Sequence, residues 1–143
     1  MRYDTKYFGE VEIPKEKILT FNGAIYGFET QKEYFLVHFE EDNDGMLCLQ
    51  SAQTPELSFI LFNPYYILPS YEPKISEEDF KLIGAAKNDE LLVYVIAVIK
   101  ENGDVTVNLK SPIVINPKSG TAAQLIVEDE RYTMRYPVIT KEG

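Results

Sequence analysis

A chain of 143 residues, 45% of them hydrophobic, is long enough to bury the core of one domain and too apolar to stay disordered. Its net charge of −9 argues against direct binding to nucleic acid, because that affinity comes from Lys and Arg neutralising phosphates. The same charge suits steering toward a basic protein partner.

Residues 1–13 alternate in strand fashion around Phe8-Gly9, where the glycine predicts a bulge or tight turn. Pro14 stops that ladder, and Ile18–Phe21 is the next short strand. Asn22–Phe28 carries two glycines and reads as a shaped loop, with Phe28 anchoring it on the core or standing out as a contact. Glu33–Phe39 and Met46–Ala52 are strands joined across the acidic turn Glu40–Gly45. The single cysteine, Cys48, lies in the second of these, the setting of an inert core thiol, and no internal disulfide is possible.

Leu57–Phe62 is apolar on both faces and predicts a strand covered on both sides. Asn63-Pro64 ends it, and the Tyr- and Pro-rich stretch to Pro73 reads as an extended connector. Ser76 and Asp79 form a capping-box pattern, with Ile75 and Phe80 placed as a hydrophobic staple, so one short helix is predicted over about 76–83 and stops near Gly84. Phe80, Leu82 and Ile83 are its expected anchors. Leu91–Ile99 is a continuous apolar strand, half as long as the roughly 18 residues of a membrane span. Asn102-Gly103 predicts a type I′ hairpin into the alternating strand that starts at Val105. Ile113–Asn116, Ala122–Val127 and Arg131–Ile139 complete the series. Without repeat or linker, the chain predicts a mostly β, single-domain, antiparallel β-barrel-like fold with one short helix.

Catalytic patterns are weak. His38 is the only histidine and sits in a strand pattern without a nucleophile elbow. Glu40, Asp42, Asp44 and Gly45 match the start of a calcium loop, but Ser51 stands where its bidentate Glu belongs. One Cys and one His cannot build a structural zinc site. The acidic run Glu77–Asp79 is explained by helix capping. Two rival readings remain beside any interaction role: a small β-barrel hydrolase using a carboxylate pair, and a generic β-sandwich interaction module. No metal, cofactor or catalytic residue is expected.

Several stretches in order resemble the FliW family. They are Phe8-Gly9-Glu10-Val11, Ile18 to Gly27-Phe28, Leu49-Gln50-Ser51 through Asn63-Pro64, Val107 to Pro112-Ile113 and Asn116, and Gln124 to Arg131-Tyr132. The resemblance implies a cytoplasmic, non-enzymatic flagellar assembly factor with a β-barrel-like fold. It implies binding to the RNA-binding translational repressor CsrA from beside its RNA site, which relieves repression of flagellin messenger RNA. It also implies binding to flagellin, whose accumulation sequesters the factor and frees CsrA. A free monomer without membrane contact is the expectation. Because interface hot spots favour aromatics and Arg, Phe28, Tyr65, Tyr66, Tyr71 and Arg135 are the candidate partner contacts, with Asn63 and Asn116 shaping the backbone beside them.

Overall fold

Seven of the strand patterns close on themselves. The computed structural model describes residues 1–23, 25–41 and 43–139. Among these, β3 (Leu19–Phe21), β4 (Glu33–His38), β5 (Met46–Ser51), β6 (Ser58–Phe62), β7 (Leu92–Ile99), β9 (Ile113–Asn116) and β10 (Thr121–Gln124) pair in that order, and β10 returns to β3. β1 (Arg2–Asp4) and β2 (Glu10–Glu12) form a separate hairpin, while β8 (Val105–Val107) and β11 (Tyr136–Ile139) extend from β7 as a side flap. The mostly β, barrel-like architecture expected from the alternation is what the chain adopts.

One pairing departs from the antiparallel rule, and parity explains it. An odd number of strands cannot alternate in direction all the way round a closed barrel. Six of the seven contacts are antiparallel and the seventh, β3 with β10, is parallel. That seam pairs only Thr20 with Thr121 and Phe21 with Ala122. It is fastened by Thr20 N–H donating to Gly120 O and Asn22 N–H to Ala122 O, both at 2.8 Å. Gly120 has φ +72, and a Cβ there would lie 3.3 Å from Ile18 O, so the seam needs a residue free of the left-handed penalty.

β7 separates two cores by its period of two. Tyr94 and Ile96 face the barrel interior with Phe21, Tyr34, Leu49 and Leu61. Val93, Val95 and Ala97 face a second cluster built on Tyr71, Leu109, Val127 and Tyr132. β6 is covered on both sides as expected: Phe59 and Leu61 lie against the interior, and Phe62 against the second cluster.

Three local expectations are corrected. First, the connector begins as a helix, α1 (Pro64–Ile67), because the extended Asn63 caps it, its Oδ1 accepting from Tyr65 N–H at 3.0 Å, and Pro64 occupies the first turn; proline is favoured there, where its missing N–H is not needed. Second, the capping box of Ser76 and Asp79 does start α2 (Glu77–Leu82), but Leu82 is exposed and Ile83 alone is fully buried. Third, Asn102-Gly103 does close a hairpin, but only Gly103 has positive φ. Gly103 N–H donates to Lys100 O and Lys100 N–H to Asp104 O, which is a type I turn followed by a glycine bulge. Asn102 Oδ1 accepts Asp104 N–H at 2.9 Å and holds that form. No described helix is long and apolar enough to cross a membrane.

Candidate partner-binding surfaces

The edge of β7 is shared between two neighbours. Leu92–Tyr94 pairs with β9, whereas Ala97–Ile99 pairs with β8. Beside the β8 end of β7 lies a groove of about 420 Å³, within the size range of ligand clefts. Phe59 and Ile96, both packed on the barrel interior, contribute to its lining. Val98 and Met134 line it too and are more than half exposed.

The 25–28 loop supplies the remaining wall. Ile25 is buried and Tyr26 is 89% exposed. The loop is fixed by Phe28 N–H donating to Ile25 O at 2.8 Å, and by Tyr26 N–H donating to Gln124 Oε1 at 3.0 Å. Phe28 is partly exposed and meets the Phe59 ring edge-on at 5.2 Å, so it is both a core anchor and a neighbour of the groove. Arg135 and Lys100 are the charged residues that line the groove, and both are exposed.

The second surface is α1. Tyr66 is 69% exposed and Tyr65 40%. The Tyr66 ring rests on Gly45, where a Cβ would come within 2.9 Å of Cδ2. No residue of α1 lines the groove, so the seven sequence candidates separate: Phe28 and Arg135 belong with the groove, and Asn63, Tyr65 and Tyr66 with α1.

Tyr71 and Asn116 are buried. Tyr71 is 2% exposed, its hydroxyl donates to Leu109 O at 2.6 Å, and its ring meets Tyr132 edge-on at 4.7 Å. Burial, with Tyr65 and Tyr132 nearby, pushes its phenol pKa up. The flanking prolines suggest an extended connector, and within it this ring enters the second core. Asn116 is buried, and its amide donates to Ile83 O and Gly84 O at 3.0 and 3.2 Å, tying the end of α2 to β9. Beside Tyr132, Arg131 lies 5.1 Å over the ring and pairs with Asp129 at 2.8 Å. Those Arg131 hydrogen bonds hold the Asp129 carboxyl down at about 2.

Sequence reasoning missed Tyr26, Val98, Lys100 and Met134. The only local signal was Tyr26 between glycines. Two other hollows carry carboxylates: in one, Glu10 and Glu12 flank Arg2 at 3.3 and 3.5 Å; in the other, Asp89 faces Lys118 at 3.8 Å, with Glu90 beside them. His38 Nε2 meets Asp44 Oδ1 at 3.2 Å, both exposed, so this contact stands in water.

The family model described as FliW protein matches residues 2–138. The flagellar assembly factor FliW of Lachnospira eligens is 34% identical over 142 residues, covering 96% of this chain and 94% of that protein. Its namesake in Heliobacterium modesticaldum is 36% identical over 137 residues, covering 95% and 89%. A crystal structure of the flagellar assembly factor FliW superposes with a TM-score of 0.90 at 29% identity, each chain covered completely. With strand order, family model and full-length relatives in agreement, the chain belongs to the FliW family.

Proposed function

We propose that this chain is a cytoplasmic, non-enzymatic partner-switch factor of flagellar assembly. It binds a CsrA-type translational repressor and so relieves repression of flagellin messenger RNA. It also binds flagellin, whose accumulation withdraws the factor and restores repression. The observation that carries the reading is the full-length match to FliW in both sequence and fold. Supporting it are two exposed aromatic surfaces of the kind that host interface hot spots, and a net charge of −9 that steers a basic RNA-binding protein. The factor acts as a monomer, beside the repressor's RNA site, and touches neither nucleic acid nor membrane.

The test is calorimetry of the purified chain against purified CsrA and against flagellin at low salt. Binding to both is expected, weakened by Tyr65→Ala with Tyr66→Ala for at least one partner. No heat with either partner overturns the proposal.

A further inference from the structure

The groove has the opposite sign from the rest of the molecule. The chain carries 23 acidic residues against 14 Lys and Arg, yet the charged residues that line the groove are the cations Lys100 and Arg135. Among the described residues, neither takes part in an ion pair; the basic groups that do are Arg2, His38, Lys118, Arg131 and the N-terminal amine. Some exposed cations elsewhere are paired, Arg131 with Asp129 and Arg2 with Glu10 and Glu12, while exposed lysines such as Lys15 and Lys74 resemble the groove pair in standing outside the ion pairs; what marks the groove is that its charged lining is cationic and borders apolar side chains.

Beside the two cations much of the lining is apolar, with Tyr26, Val98 and Met134 left open to water and Phe59 and Ile96 set against the barrel interior; Thr106, Asn108 and Gln124 are its uncharged polar members. Exposed apolar side chains gathered at one concave site mark interaction surfaces, and unpaired cations beside them select the sign of what enters. The polar groups at the rim are largely committed inward. Gln124 accepts from Tyr26 N–H and donates to Ser111 O, and Asn108 Oδ1 accepts from Lys110 and Ser111 N–H. A rim of that kind leaves ionic contacts as the main polar selectivity.

We propose that the groove docks an acidic-apolar segment of a partner protein. Its apolar side chains lie on Phe59, Ile96 and Val98, and its carboxylates meet Lys100 and Arg135. This goes beyond the partner-switch reading, because it assigns the groove a ligand chemistry whichever protein carries the segment. It also separates that segment from any basic partner, which the acidic remainder of the surface attracts and the groove repels.

The test uses two short synthetic peptides with a fluorescent label. They share the same Leu and Phe positions; one carries Glu between them and the other Lys. The net charge of the chain alone favours the Lys peptide, so the groove and the overall field predict opposite results. Fluorescence polarisation at low salt is expected to show the Glu peptide bound roughly tenfold tighter, the scale of two partly exposed ion pairs. Lys100→Glu with Arg135→Glu reverses that preference, and Tyr26→Ala weakens the Glu peptide while circular dichroism shows an intact fold. A preference for the Lys peptide overturns the proposal, as does Glu-peptide binding indifferent to all three substitutions, or no binding of either peptide. Neither peptide contains CsrA or flagellin sequence, so failure here and failure of the calorimetric test are separate results.

Discussion

Replacing Tyr71 by Phe distinguishes a buried strut from a partner contact. The substitution keeps the ring that meets Tyr132 at 4.7 Å and removes only the hydroxyl that donates to Leu109 O at 2.6 Å. Both groups lie in the second core, where Tyr71 is 2% and Leu109 0% exposed. Water cannot take the hydroxyl's place there without opening the cluster, so the carbonyl loses its partner at a cost of about 1–3 kcal/mol. An unfolding entropy of about 2.1 cal/mol/K per residue over 143 residues makes each kcal/mol worth roughly 3 °C. The expected loss in Tm is therefore about 3–10 °C by circular dichroism or calorimetry. Tyr65→Phe, at a position 40% exposed, serves as the control and should stay within about 0.5 kcal/mol of the parent. Partner affinity of the folded Tyr71→Phe protein should be unchanged. A Tm within 1 °C of the parent, with roughly 1 °C taken as the assay's resolution, refutes the strut argument.

Two further outcomes follow from the barrel. Gly120→Ala forces a Cβ into a backbone with φ +72 and to within 3.3 Å of Ile18 O, and should destabilise by about 1–2 kcal/mol or more; an unchanged urea midpoint contradicts the seam's need for glycine. Burial pushes the Tyr34 phenol pKa from 10.0 to about 12, and that of Tyr71 up as well. A folded pKa raised above the unfolded value means the folded state holds its proton longer. The stability gained from a neutral Tyr34 is thus complete below about pH 10 and is lost as pH climbs through about 12. Urea midpoints should fall across that window, less steeply in Tyr34→Phe, and equal slopes would refute the assignment.

What the sequence displays is what lies within one element. The capping box at Ser76 and Asp79 and the two-sided apolar pattern of Leu57–Phe62 are local, and both hold in the structure. The parallel seam that closes the barrel was not legible, because it rests on two residue pairs between distant strands, too few to imprint a pattern. Asn63-Pro64 misled because proline breaks a helix interior but starts a helix well, and only the Asn63 cap tells the two apart. Tyr71 and Arg135 looked equally suited to a partner. The difference lies in what packs over them, which their own neighbours in the chain do not record. The groove was invisible for the same reason: its walls come from the 25–28 loop, β6, β7, β8, β10 and the residues just before β11.

The parallel seam also sets when the groove comes into being. Thr20 meets Thr121, about a hundred residues along the chain, so closing the barrel is among its most non-local steps and belongs to the slow part of folding. One groove wall hangs on that step, since the hydrogen bond from Tyr26 to Gln124 joins the loop after β3 to β10. A chain folded everywhere except at the seam has the strands but lacks that fixed wall of the groove. By mass action, a ligand that occupies the groove also holds the barrel shut, and any event that parts β3 from β10 releases it.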